Sequence, residues 1–247
     1  MGQVLAVVSG KGGTGKTSVC AAVAMALAAA GQKVLCIDAD VGLRNLDISL
    51  GLMNEASISF SDVMAGFYPI SRATVHPLNP NLHFLTSPVA AQPEDLNSEA
   101  FRLFLEQARN TYDWCFIDAP AGVGAGFRLA IRWADTVLVV CNPDPASLRD
   151  GAKTAETMEM FSKAQPKLIV NRIRRQFFKK LRFTVDDCMD TVGLPLLGIV
   201  PDDEAVPLAA GKGQPLYKIA SGKKNAAEAC RHIALRLMGQ KVPLLKL

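Results

Sequence analysis

Short apolar runs bounded by turn residues recur along the chain at Val4 to Val8, Lys33 to Ile37, Trp114 to Ile117, Thr136 to Cys141, Lys167 to Val170 and Leu196 to Val200. Continuous apolar runs of this length suit strands buried on both faces, as in a parallel sheet covered by helices. Helical patterns alternate with them at Ser18 to Ala30, Ser98 to Asn110, Ala146 to Ser162, Val185 to Thr191 and Asn225 to Met238. The alternation predicts an α/β fold, doubly wound, with a mostly parallel sheet and helices on both faces. The segment from Pro69 to Pro93, rich in proline and asparagine, reads as an irregular excursion with a short strand at Leu82 to Thr86. No repeat, low-complexity tract or linker divides the chain. Residues 1–239 therefore read as one domain and 240–247 as a short tail.

Composition narrows the class. Of 247 residues, 49% are hydrophobic and 20% charged, which supplies a buried sheet and argues against disorder. The formal charge of +4 suits a protein that meets nucleotides or anionic surfaces, yet is too small to argue for nucleic acid by itself. The six cysteines form no C-x-x-C pair and three lie in strand-like runs, so they read as reduced core thiols of a cytosolic protein. No basic-then-apolar leader opens the chain, and Ala6 stands where a myristoylation signal needs Ser or Thr. The longest apolar run, Val19 to Ala30, is too short to span a bilayer.

The chemistry concentrates in Gly10, Lys11, Gly12, Gly13, Thr14, Gly15, Lys16 and Thr17, which fit the phosphate-loop pattern G-x-x-x-x-G-K-[ST] with an extra lysine at the second position. An apolar strand precedes the loop and a helix, opening at Ser18, follows it, which is the context a phosphate loop requires. Glycines bring unhindered N–H groups onto phosphate oxygens, and the helix aims its positive end at the same anion. Lys16 suits the β- and γ-phosphates. Thr17 offers a hydroxyl to Mg²⁺.

Further polar residues follow strand after strand at one end of the expected sheet: Asp38 and Asp40, Asp118, Asn171, then Pro201 and Asp202. Asp118 closes an apolar run in the manner of a Walker B carboxylate that holds Mg²⁺, or else caps a turn. Asp38 and Asp40 face one side if strand geometry persists between them, where they suit orienting water and ordering a switch loop. Asn171 is a candidate for reading adenine, because an amide donates and accepts at once. The stretch Asn171, Arg172, Ile173, Arg174 lacks the guanine-reading N-K-x-D pattern, so ATP is preferred to GTP. Arg44 and Asp47 read equally well as functional or as solvated loop charges.

On these residues the chain resembles the ParA/MinD family of deviant Walker A ATPases, a group of P-loop NTPases of the SIMIBI type. The loop with Lys11 carries the likeness, together with the run D-A-D-V-G-L-R-N-L-D from Asp38 to Asp47, the run D-A-P-A-G from Asp118 to Gly122, and the stretches beginning at Ile169 and Pro201. The Gly42 to Asp47 block is the most specific part and points to the septum-site-determining branch. The resemblance implies an ATP-dependent homodimer that hydrolyses ATP with Mg²⁺. In it Lys11 reaches across to the partner's phosphates, Lys16 and Thr17 serve their own nucleotide, and Asp40 positions the water. Asp38 supports the metal or the switch loop, Asp118 supports the metal, and Asn171, Arg172, Pro201 and Asp202 flank the base. It further implies division-inhibitor and regulator proteins of the Min system as partners, with Arg44 and Asn45 exposed to one of them. The implied location is cytoplasmic, with reversible peripheral association with the inner face of the cell membrane. A ParA-like DNA or cargo partitioning ATPase and a flagellar-number relative are the alternatives.

The chain departs from the family at two places. Gly124 stands where an acidic residue is common, and the basic amphipathic C-terminal helix is replaced by residues 240–247. Val242, Leu244, Leu245 and Leu247 form either a weak membrane contact or a tail packed on the fold. The run from Arg172 to Phe183, including Phe177, Lys179 and Lys180, interleaves basic and aromatic residues as an anionic lipid or nucleic-acid surface does, or as a plain solvated face does.

Overall fold

The computed structural model describes residues 1–41, 43–88 and 96–245, and within the helix at 175–181 it omits the side chains of residues 177, 179 and 181. Among the described residues eight strands form one sheet: β1 (Gln3–Val8), β2 (Val34–Asp38), β3 (Thr74–His76), β4 (Asn79–Leu85), β5 (Trp114–Asp118), β6 (Thr136–Cys141), β7 (Gln165–Ile173) and β8 (Leu196–Pro201). Their order is β3-β4-β2-β5-β1-β6-β7-β8, and every pairing is parallel except β3 with β4. The doubly wound α/β expectation is met.

One face is covered by α4 (Ser98–Thr111), α5 (Ala125–Arg132), α6 (Pro145–Phe161) and α8 (Val185–Val192), which enclose Phe101, Phe104 and Phe127 with Val4, Ile37 and Ile117. The other carries α1 (Lys16–Ala29), α2 (Leu46–Leu50) and α11 (Ala226–Leu237), around Val23, Leu27, Leu50, Phe116 and Ile233. Helix α1 is buried by the sheet on one side and by α11 on another, and its alanines allow that close approach. Truncating fully buried Leu27 to Ala removes contacts worth about 2–5 kcal/mol. The six cysteines are unpaired and buried, and burial pushes the thiols of Cys115, Cys141 and Cys230 up to about 12.

The remaining helices are short: α3 (Phe60–Met64), α7 (Arg175–Leu181), α9 (Ala205–Gly211) and α10 (Leu216–Ile219). The expected irregular excursion from Pro69 is more ordered than its composition suggests. A 3₁₀ turn at Ile70–Arg72 and the hairpin of β3 and β4 occupy its first part, whereas Val89 to Pro93 lie outside the described residues. His76 pins this hairpin to the switch region, with Nε2 on the Leu50 carbonyl at 2.9 Å and Nδ1 accepting from Leu78 N–H.

The tail packs on the fold as far as it is described. Leu245 is 8% exposed, and Arg236 donates to the carbonyls of Val242 and Leu197, each at 2.8 Å. Lys246 and Leu247 lie outside the described residues, as do the side chains of Phe177 and Lys179 from the basic–aromatic run. Among the described residues no helix is long and apolar enough to cross a membrane.

Candidate nucleotide-binding site

Strand β1 lies at the centre of the sheet, and its register with β5 sets Val7 beside Asp118, while β2 sets Asp38 beside the same residue. The loop that follows β1 therefore leaves the sheet where these carboxylates converge. Two of its glycines are demanded by packing: a Cβ at Gly10 meets Asp150 O at 2.5 Å, and one at Gly15 meets Asn171 Nδ2 at 2.4 Å. Gly12 faces open space instead, so its lack of a side chain leaves room for something outside the protein.

Helix α1 opens at Gly15, in left-handed backbone with φ +84°, and has neither a side-chain cap nor an acidic residue in its first turn. Its first N–H groups have no side-chain cap, an arrangement that suits an anion. Within the loop, Thr14 is 2% exposed and its Oγ1 has no hydrogen-bond partner. An orphaned buried hydroxyl calls for a partner from outside the protein, such as a water, an ion or a ligand, and this one lies in the glycine-rich loop.

Behind the loop Asp118 joins two candidate residues. Its Oδ1 accepts from Lys16 Nζ at 2.7 Å, and its Oδ2 accepts from Thr17 Oγ1 at 2.8 Å. Lys16 and Asp118 have side chains 7% and 1% exposed. Burial pushes the Asp118 carboxyl above the ordinary aspartate range, and Lys16 and Thr17 pull it part of the way back. Asp38 is pushed up to about 7, first by burial and then by the neighbouring charge of Asp118.

Strand geometry ends at Asp38, so the alternation argument does not extend to Asp40. The chain turns instead: Asp38 accepts from Asp40 N–H at 3.0 Å and from Leu46 N–H at 3.1 Å, fastening the switch loop to α2. Asp40 is half-buried, and desolvation also raises its carboxyl, with Lys16 opposing. Among the described residues no three His, Cys, Asp or Glu side chains gather as a metal site. The donor set of one hydroxyl and separate carboxylates fits Mg²⁺ rather than a softer ion, with phosphate and water supplying most ligands.

Lys11 stands at the loop's outer edge, 36% exposed, and pairs with Asp144 at 3.3 Å. The motif alone gave no hint of Asp144. Its signal was the helix start, because Asp144 caps α6 by accepting from Ser147 N–H at 2.9 Å ahead of Pro145. Arg44, expected on the surface, is half-buried with its guanidinium on Thr86 Oγ1, whereas Asn45 is exposed. Gly124 precedes α5 and has open space at its Cβ position.

On the other flank of α1 a cleft of about 470 Å³ is lined by Gly15, Ser18, Asn171, Arg172, Pro201 and Asp202 among others. The candidate base-side residues thus meet at one place. Asn171 is turned toward the loop and donates from Nδ2 to the Thr14 carbonyl at 2.7 Å, and Arg174 pairs with Asp202 at 2.5 Å.

Residues 5–216 match the model of the CobQ/CobB/MinD/ParA nucleotide binding domain. The septum site-determining protein MinD of Synechocystis is 37% identical over 99% of this chain and 92% of its own length. The MinD structure in the MinC:MinD complex of Aquifex aeolicus superposes with a TM-score of 0.88, at 34% identity, covering 99% of this chain and 98% of that one. MinD of Pyrococcus horikoshii, solved with Mg-ADP, gives a TM-score of 0.81 at 28% identity, covering 96% of each chain. The chain belongs to the CobQ/CobB/MinD/ParA nucleotide-binding family and, within it, to the septum-site-determining MinD proteins, with a MinD-like function in cell division.

Proposed function

We propose that this chain is a switch that hydrolyses ATP to ADP and phosphate as a nucleotide-bridged homodimer and so helps to place the division septum. The observation that carries this reading is the buried set of Asp118, Lys16 and Thr17 beneath a glycine-rich loop with an unpartnered Thr14 hydroxyl. A buried ion pair is a weak source of stability, so its presence here is better understood as a cation held ready for an anion.

In the reading, Lys16 exchanges Asp118 for the β- and γ-phosphate oxygens of ATP. Thr17 and Asp118 would hold Mg²⁺, with Asp38 behind them; when bound, the ion neutralises charge on the β- and γ-oxygens. Asp40 orients the attacking water, whose oxygen bonds to the γ-phosphorus while the bond to the β-phosphate oxygen breaks. The water proton leaves toward the Asp40 side, and negative charge gathers on the β-phosphate among Lys16 and the loop N–H groups. Lys11 of the second protomer reaches the same charge, and cations supplied in trans speed hydrolysis by roughly 10³–10⁵ in other phosphate-loop enzymes. Asn171, Arg172, Pro201 and Asp202 seat the adenine.

Residues 1–239 act as one ATPase unit. Its partners are division-inhibitor and regulator proteins of the Min system, a reading to which the MinC:MinD cell division protein complex of the Aquifex aeolicus relative lends support. Association with the inner face of the membrane is peripheral and reversible. Light scattering with ATP and with ADP, run beside phosphate release, tests the reading: dimers with ATP only, and turnover that rises with protein concentration. No binding of adenine nucleotide, or equal turnover by a strict monomer, defeats it.

A further inference from the structure

Resting on the nucleotide reading above, we infer that Asn171 is a positioning residue that fastens the phosphate loop to the base-side cleft, so that the two halves of the site form as one unit. The residue is 6% exposed, and its Nδ2 donates to the Thr14 carbonyl at 2.7 Å across 157 positions of sequence. In a trans peptide the C=O of one residue and the N–H of the next point in opposite directions. Holding the Thr14 carbonyl on Asn171 therefore turns the Gly15 N–H the other way, away from Asn171. A phosphate loop works by presenting N–H groups and keeping carbonyls from the anion. Asn171 removes one carbonyl from that contest.

The backbone around Asn171 is shaped for the task. The pairing of β7 with β8 shifts between Val170 and Ile173, and Arg172 adopts φ +56°, a conformation that side-chain-bearing residues avoid. Bulges of this kind re-aim side chains beside functional sites. The amide is pressed so closely on the loop that Gly15, also at positive φ, has no room for a Cβ. One N–H of the amide is spent on Thr14, which leaves its second N–H and its oxygen for a base edge. Asn171 and Gly15 both line the cleft of about 470 Å³, so one side chain touches both halves.

The test is isothermal titration of the full chain with ATP and with tripolyphosphate, which has no base, each with Mg²⁺. Wild type is compared with Asn171→Ala and with Asn171→Leu, which restores volume but not the donor. Both variants are expected to weaken tripolyphosphate about tenfold, the size of one buried hydrogen bond, and ATP by at least as much. Tripolyphosphate affinity left intact in either variant overturns the inference: intact in both, Asn171 only reads the base, and intact in Leu alone, it only fills space. Wild type that binds neither ligand defeats the nucleotide reading instead. Should the variants fail to fold, hydrogen exchange on wild type decides. Saturating adenosine slows exchange at the Gly15 and Lys16 amides if the strut operates, and unchanged exchange overturns it.

Discussion

Lys11 and Asp144 face each other at 3.3 Å within one chain, at the rim of the phosphate loop. The lysine proposed to serve a neighbouring protomer is thus held at home by an acid at the start of α6. Both side chains are more than a third exposed, and pairs of this kind are worth about 0–1 kcal/mol, so release costs little. Asn in place of Asp keeps the cap on Ser147 while removing the charge. Asp144→Asn is expected to strengthen ATP-dependent dimerisation by up to about fivefold, the equivalent of ~1 kcal/mol, as read by sedimentation equilibrium. Lys11→Ala should keep ATP binding within about twofold, since the exposed pair contributes so little, but abolish dimerisation and turnover. Full turnover by that variant sinks the trans role.

Asp118 and Lys16 behave differently because they are buried. Asp118→Ala leaves Lys16 as an unpaired interior charge, at a cost of about 3–5 kcal/mol. ATP carries its own anion to the same ammonium, so nucleotide should raise the thermal midpoint of Asp118→Ala by more degrees than that of wild type. Calorimetry without Mg²⁺ separates this effect from metal binding. An equal rise in both proteins would show that Lys16 does not meet phosphate.

Asp38 imposes a pH dependence. Its folded value of about 7 lies above the unfolded value of about 3.9, so between these limits the native state binds the extra proton. Stability from this group is complete below about pH 4 and declines as pH rises to 7, by about 4 kcal/mol at most. Asn at this position cannot ionise, whatever constant offset its altered bonding adds. The urea midpoint of wild type minus that of Asp38→Asn should therefore fall between pH 5 and 8, and a flat difference refutes the assignment.

His76 works in the opposite sense. Burial lowers its value below the usual 6.5, and Nδ1 must stay unprotonated to accept from Leu78 N–H. The unfolded state binds the proton first, so this contribution is present above about pH 6.5 and is lost as pH falls through the lower folded value. Because Nε2 meets Leu50 at the end of α2, acid should loosen the hairpin and the switch region together. Hydrogen exchange at Leu78 and Leu52 at pH 7 and pH 5 measures it. Protection that stays constant at both amides rejects the link.

The parts of the fold legible in the sequence are those with a strong local cause. Strand β6 is buried along nearly its whole length, and α4 begins at an Asn97 cap, so both could be placed within a residue. Helices α2, α3, α5, α7, α9 and α10 span only four to eight residues, too few for a helical period to stand out. Strand β3 has three residues and exists because β4 gives it a partner. The phosphate loop announces itself because its chemistry is contiguous. The bonds from Lys11 to Asp144 and from Asn171 to Thr14 join residues more than a hundred positions apart, and the second ends on a backbone carbonyl that no motif encodes.

The tail shows why hydrophobicity alone does not decide an anchor. Leu245 already belongs to the buried cluster that includes Ala229 and Ile233 of α11, so exposing it to lipid gains little beyond what the fold provides. What holds it is Arg236, whose guanidinium bonds the carbonyls of Val242 and Leu197, and His232, which meets the Pro243 carbonyl at 3.1 Å. Hydrogen bonds to a charged group contribute about 1.5–3 kcal/mol each when buried, and these are partly exposed, so the strap is of modest strength. Arg236→Ala should speed proteolysis between Gly239 and Pro243 and raise flotation with anionic vesicles, because once the strap is cut the burial Leu245 gives up in the core is regained in lipid. If Arg236→Ala cuts faster yet floats no more than wild type, the tail is a structural strap and membrane association must come from another surface.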